Sequence, residues 1–240
     1  NMRNNLSYNL AQVDIENTGN VTSRSIVAQS DASPYWRSMV SNSLVWNDVN
    51  NPLAPTQGRV HRLTTDLAGL GGDVTFARLL VDNQFYHPLS DDEEWVVHLR
   101  GRFGAIDGLS KEVPIFERFY LGGGTSVRGF KPGGIGPRTI LEDDSYGGIH
   151  FEQVNAELFF PLMGLSEKGL RGLTFVDVGY LGDANLPADV RESGSVRVAT
   201  GVGLHWNSPF GPLRFSLSTP LLKEDFDKMR TFDFSMGTSL

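Results

Sequence analysis

The sequence contains no cysteine, which excludes a disulfide framework, a cysteine-ligated metal site and a cysteine nucleophile. It has no apolar run near the roughly 18 residues that a membrane-spanning helix needs, and residues 1–12 lack the apolar core of a signal peptide. Basic residues are outnumbered, 21 Lys and Arg against 28 Asp and Glu, for a net charge of -7, so we expect no nucleic-acid partner. These absences leave open a β-rich protein, including a membrane barrel, whose strands alternate apolar and polar residues.

Glycine and aromatic residues are plentiful, and apolar residues recur with a period of two. The 27 glycines and 10% aromatic content suit a turn-rich β protein. The alternation is clearest over residues 196–207 and returns in further segments. These segments are 95–103, 153–160, 174–180, 213–218 and 232–237, with weaker candidates at 5–15, 38–48, 59–67 and 74–87. The pattern predicts about ten strands, several near the roughly 9–11 residues that cross a bilayer when tilted.

The face opposite the apolar one separates a soluble β-sandwich from a membrane barrel. A sandwich buries its apolar face against a second sheet, whereas a barrel turns that face to lipid and its polar face to a hydrated lumen. Here the opposite face is strongly and regularly polar, carrying Arg100, Arg102, Gln153, Asn155, Glu157, Asp177, Arg197 and His205. The sequence therefore predicts an all-β fold, a transmembrane antiparallel β-barrel.

The sequence contains none of the motifs tested for catalysis, nucleotide binding or metal binding. The glycine run 122–124 is not followed by Gly-Lys-Ser/Thr, Ser126 lacks the G-x-S-x-G elbow, and the five histidines have no metal-ligand spacing. We therefore expect no catalytic residue, no cofactor and no metal. The acidic cluster 142–144 is interpreted as a solvated loop; it could bind a divalent cation but lacks EF-hand spacing.

Residues 116–138 read FERFYLGGGTSVRGFKPGGIGPR. This segment resembles the long loop of the BamA family of outer-membrane protein assembly factors, which folds back into the barrel and carries a VRGF motif. The resemblance continues in segments 50–58, 156–162, 175–182, 203–221 and 232–239, so it spans nearly the whole chain in the family's order.

The resemblance implies an architecture and a function. Residues 1–240 would form a single partial outer-membrane barrel domain, about ten C-terminal strands of a sixteen-strand barrel that POTRA domains precede, with 113–138 as the lumen-docked loop. It would fold and insert β-barrel proteins through a lateral strand edge. Its partners would be unfolded outer-membrane proteins, outer-membrane lipid, and lipoproteins bound through the POTRA domains. These residues alone are not expected to form a competent insertase, because ten strands close only a small barrel.

The resemblance also implies two groups of site residues. One docks the loop: Val127, Arg128, Gly129 and Phe130, with Glu157 and Asp177 as the partners of the arginine. An arginine carried into a lumen needs carboxylates, because an unpaired buried charge is costly. The other is an edge strand that opens for substrate: Phe232, Phe234, Met236, Gly237 and Leu240. In this strand Gly237 either breaks the ladder at little steric cost or makes room for the loop.

Two alternative functions stay open. A two-partner-secretion transporter shares the VRGF loop and would pass a polypeptide through the lumen. A structural or enzymatic outer-membrane barrel is a further class, because lumen carboxylates can act as acid and base.

Overall fold

The computed structural model describes residues 1–16, 23–162, 164–165, 168–183, 185–192, 194–209 and 211–237. Within them, ten strands form one sheet: β1 (Met2–Val13), β2 (Tyr35–Asn47), β3 (Gly58–Gly72), β4 (Phe76–Pro88), β5 (Val96–Gly108), β7 (His150–Pro161), β8 (Leu170–Gly182), β10 (Arg197–Ser208), β11 (Gly211–Leu222) and β12 (Phe232–Met236). The short strands β6 (Arg138–Thr139) and β9 (Val190–Arg191) pair with each other. One helix, α1 (Arg24–Asp31), and one 3-10 turn (Ile115–Glu117) complete the elements. None of the described helices is long and apolar enough to cross a membrane.

The ten strands follow one another as an antiparallel meander, so each pairs with its neighbours along the chain. This confirms the predicted all-β fold of about ten antiparallel strands. Among the described residues, β1 pairs only with β2 and β12 only with β11, so the sheet is open at both margins.

The connections differ at the two ends of the sheet. At one end, called the short-turn end, they span residues 48–57, 89–95, 162–169 and 209–210. At the other, the long-loop end, they span 14–34, 73–75, 109–149, 183–196 and 223–231. Short turns at one end and long loops at the other are the asymmetry of outer-membrane barrels.

The predicted alternation governs burial. In β8, Thr174 and Val176 are exposed on the outer face, while Phe175 and Asp177 are buried on the inner face. The inner face is covered by the 109–149 connection. An apolar cluster forms there between that connection and the wall, comprising Leu121, Val127, Phe130, Ile135, Phe151, Leu181 and Ala199. This part of the core therefore lies inside the curved sheet, where the loop meets the wall.

Candidate functional site

The 109–149 connection, called here the docked loop, is first held where it leaves β5. Glu117, in the 3-10 turn, forms ion pairs with Arg37 of β2 and with Arg78 of β4, the latter at 3.1 Å. Arg78 also donates from Nε to Asp66 of β3 at 2.7 Å. The start of the loop is thus tied to three neighbouring strands by charged groups that are mostly withdrawn from solvent.

Arg128 lies at the tip of the docked loop, and only 2% of its surface is exposed. Its Nε and Nη2 donate to the two oxygens of Asp177 at 2.7 and 2.6 Å, and its backbone N–H donates to the same carboxylate at 2.9 Å. Its Nη1 lies 2.6 Å from Glu157 Oε1, an ionic contact without hydrogen-bond alignment. Its guanidinium carbon stands 3.4 Å from the ring centroid of Phe175. The structure therefore brings together the three residues predicted to form this contact.

Glu157 is shared by several cationic groups. Besides Arg128, Arg214 of β11 donates to Oε1 at 3.0 Å, and His98 Nδ1 lies 2.8 Å from Oε2. Because an ionised carboxylate only accepts, His98 Nδ1 is assigned as the donor. His98 also stacks on Tyr86, with the ring centroids 4.3 Å apart. One buried carboxylate thus joins the docked loop to β5 and β11.

Residues next to Arg128 fix the loop by packing. Val127 and Phe130 are fully buried. A side-chain carbon at Gly179 of β8 would lie 2.6 Å from Val127, so the glycine makes room for the valine. Gly129 has φ +89, and a side chain there would meet Ala199 of β10 at 3.1 Å. Glycine at 129 satisfies both the left-handed backbone and the close approach to the wall.

A network of polar side chains lies beside Arg128, and it was not predicted from the sequence. Asn155 donates to the carbonyl of Ser126 at 2.8 Å and to Asp177 Oδ1 at 2.7 Å, while Ser126 Oγ donates to Gln153 at 3.0 Å. Gln153 and Asn155 were placed on the polar face by their alternation, but nothing in the sequence linked them to the loop. The network satisfies buried polar groups that docking would otherwise leave unpaired.

The connection before the last strand is bound to the docked loop and to the wall. The segments 129–134 and 228–230 run together through the Phe130–Met229 bridge and backbone hydrogen bonds of 2.7 to 3.0 Å. Arg197 of β10 forms a two-pronged pair with Asp227 at 3.0 and 3.1 Å, and both side chains are completely buried. The sequence placed Arg197 on the inner face but did not reveal this partner.

Asp143 departs from the interpretation of cluster 142–144 as a solvated loop, whereas Asp144 of the same cluster is exposed. Its carboxylate binds Arg138 of the docked loop, Arg191 of the 183–196 connection and Lys228 of the 223–231 connection. Partial burial by itself raises the pKa of Asp143, but hydrogen bonds from Lys228 and Arg191 outweigh it and lower the pKa. Asp143 therefore joins three connections, which the sequence could not show because Arg191 and Lys228 are distant from it along the chain. Among the described residues no group of His, Asp or Glu is arranged to hold a metal.

A further carboxylate joins loops at the same end. Asp189 accepts hydrogen bonds from Ser23 Oγ at 2.9 Å and from the backbone and hydroxyl of Ser25, at the N-terminus of α1. These hydrogen bonds, that of the Ser25 hydroxyl foremost, lower the pKa of Asp189 to about 2. A carboxylate at a helix N-terminus is also favoured by the helix dipole.

The predicted edge strand is short and half-paired. β12 has five residues, with Phe232, Phe234 and Met236 exposed on the outer face and Asp233 buried on the inner face. Gly237 has φ +103, its N–H donates to Pro212 O at 2.8 Å, and no atom lies within 4 Å of where a side-chain carbon would stand. Backbone conformation, and not space, is thus what requires glycine at 237. Leu240 lies outside the described residues.

Comparison with known proteins decides the family. The family model described as the Omp85 superfamily domain matches residues 1–240. The chain belongs to the Omp85 superfamily.

Curated relatives of known name support the assignment to the Omp85 superfamily. The outer membrane protein assembly factor BamA of Neorickettsia risticii is 35% identical over 210 residues, which cover 87% of this chain and 28% of the relative. The BamA of Neisseria meningitidis is 30% identical over 220 residues, 80% of this chain and 27% of the relative. The chain thus spans little more than a quarter of these relatives, at 28% and 27% of their length.

A solved Omp85 structure shares the fold. The crystal structure of BamA from Haemophilus ducreyi lacking POTRA domains 1-3 superposes with a TM-score of 0.75 at 27% identity, covering 83% of this chain and 42% of that one. The predicted family resemblance is confirmed, and the ten-stranded sheet has the fold of the BamA barrel.

Proposed function

We propose that this chain is the barrel part of an outer-membrane protein assembly factor, which folds β-barrel proteins and inserts them into the outer membrane. The relatives that share most of its length are named as assembly factors. Its substrates would be unfolded outer-membrane proteins, and its partners outer-membrane lipid and lipoproteins bound through POTRA domains. The role needs no covalent chemistry, because strand pairing and burial of the lipid face already favour the inserted product.

The observation that carries the proposal is the outer margin of β12, called the free margin because no strand of the described residues pairs with it. In an antiparallel pair, alternate residues hydrogen-bond to the neighbouring strand. Because Gly237 N–H donates to Pro212 and Ser218 N–H donates to Thr231, the odd-numbered residues of β12 face β11. The backbone groups of Phe232, Phe234 and Met236 therefore face the free margin. Such a row of unpaired donors and acceptors is a template for an added strand.

The docked loop supports the proposal by holding this margin in place. The connection that leads into β12 is attached to the loop tip and, through the Arg197–Asp227 pair, to the wall. The strand can therefore stay short and weakly paired without detaching.

The test removes one backbone N–H donor from the free margin of β12 and leaves the pairing of β12 with β11 intact. Phe234→Pro deletes the backbone N–H that faces the free margin, a position where a strand tolerates proline. Phe234→Ala is the matched control, because it loses the ring and keeps the N–H. The rate at which the full-length protein folds a barrel substrate in liposomes should fall in the proline variant well below that of the alanine variant. Equal rates for the two would count against strand addition at this margin.

A further inference from the structure

Pro220 lies in β11 at the point where the pairing of that strand with β12 ends. The last register pair joins Leu217 to Phe232, and one further backbone hydrogen bond, of 2.8 Å, runs from Ser218 N–H to Thr231 O. β11 itself continues beyond the proline, and within the described residues that part has no partner in β12. The proline therefore coincides with the boundary between the paired and the unpaired parts of β11.

The nitrogen of Pro220 lies on the side of β11 that faces β12. In an antiparallel pair, alternate residues of a strand bond to the same neighbour. Because Ser218 bonds to Thr231, residue 220 is the next in β11 to face that side, and continuing the register places Met229 opposite it. An N–H at position 220 would therefore be directed at the carbonyl of Met229. Proline has no N–H, so β11 offers no donor at this step of the ladder.

The segment that leads into β12 pairs with the docked loop at the same level. Arg230 N–H donates to Gly129 O at 3.0 Å, and Met229 forms a bridge with Phe130. The loop tip reaches Pro220 as well, since a side-chain carbon at Gly129 would lie 3.5 Å from the proline nitrogen and 3.7 Å from its Cδ. β12 is thus held by β11 along its own length and by the docked loop at the segment before it.

We propose that Pro220 is a positioning residue for strand addition. By ending the hydrogen bonds between β11 and the last strand, it keeps β12 short, so that only a short ladder ties the free margin to the wall. The margin can then shift to meet an incoming strand, because few hydrogen bonds must open for β12 to move. The inference rests on the proposed function, which it deepens by naming a residue that regulates the margin.

The test restores the missing N–H in the full-length protein. Pro220→Ala and Pro220→Val both add the donor, and they differ in how much of the bulk of the ring they keep. Thr219→Ala is the matched control, because Thr219 is the neighbouring exposed residue and its N–H faces β10. Each variant also folds a barrel substrate in liposomes, which gives a second measurement.

Hydrogen exchange in detergent, followed by mass spectrometry on peptides that cover β12, measures how firmly the strand is held. The N–H groups of Asp233 and Ser235 face β11 and exchange when β12 separates from it. Their exchange should slow about fivefold in both proline variants, since one net hydrogen bond supplies roughly this factor. Thr219→Ala should leave it unchanged.

The direction of the change separates this role from ordinary packing. If Pro220 served only to support the loop tip at Gly129, its replacement would loosen the contact, and exchange in β12 would become faster. Slower exchange in both variants supports the proposal, because the two substitutions share the added N–H and differ in side-chain bulk. Unchanged or faster exchange in Pro220→Ala overturns it.

The rate of substrate folding tests the consequence for strand addition. Pro220→Ala should fold the barrel substrate severalfold more slowly than Thr219→Ala, because its margin is held more firmly. An unchanged folding rate together with slower exchange overturns the positioning role. The proposed function fails separately, and only if Phe234→Pro and Phe234→Ala also give equal rates.

Discussion

Removing the charge of Asp177 should release the tip of the docked loop. Asp177 is completely buried and receives three hydrogen bonds from Arg128, at 2.6, 2.7 and 2.9 Å. Breaking a buried ion pair by neutralising one partner costs about 3–5 kcal/mol. We expect the lower end for Asp177→Asn, because Glu157 still contacts Arg128. About 3 kcal/mol corresponds to roughly a hundredfold increase in loop opening.

Hydrogen exchange of the backbone amides measures that opening. Lys131 and Arg230 are suitable probes, because their N–H groups join the loop to the 223–231 connection at 2.7 and 3.0 Å. Both should lose protection by about two orders of magnitude if loop opening governs their exchange. Asp48→Asn is the control: Asp48 pairs with Arg59 at 3.6 Å on the surface, where a pair contributes at most about 1 kcal/mol. Protection that changes as little in Asp177→Asn as in the control would refute the reasoning.

Two further predictions concern the other connections. Asp227→Asn should leave Arg197 buried without a counter-charge and so loosen the attachment of β12. Residues 223–231 should then be cleaved faster by a protease in the variant. An unchanged cleavage rate would contradict this prediction. Because the pKa of Asp189 lies below its ordinary value, at about 2, its contribution is complete above about pH 4 and is lost as the pH falls through about 2. After correction for intrinsic exchange, hydrogen exchange of the α1 amides should become faster as the pH falls from about 4 to about 2. In Asp189→Asn the corrected exchange should not change with pH over this range. The same pH dependence in both proteins would show that Asp189 does not stabilise α1.

Strand number and strand faces could be predicted from the sequence because both follow from a local period of two. That period placed Glu157, Asp177 and Arg197 on the inner face, and the structure has them there. The ion-pair partner of each of these charged residues could not be predicted in the same way. Arg214 reaches Glu157 although β11 and β7 are separated by two strands in the sheet, so their contact depends on curvature.

The contacts made by the connections between strands were even harder to predict from the sequence. Asp143 and Asp227 lie in segments without period, and each finds its partners on elements distant in sequence. A charge run in a loop has the same local appearance whether it is solvated or joins three connections. Only the docked arrangement distinguishes the two, which is why the interpretation of the 142–144 cluster as solvated was wrong for Asp143.

The most direct test of the central claim asks where a substrate touches this barrel. With no native cysteine in the chain, single cysteines can be placed at Met236, on the exposed side of the free margin, and at Arg102, on the inner face of β5. During assembly by the full-length protein, disulfide trapping of a cysteine-bearing barrel substrate should occur at position 236 and not at 102. Trapping confined to position 102 would mean passage through the lumen and would contradict insertion at the β12 margin.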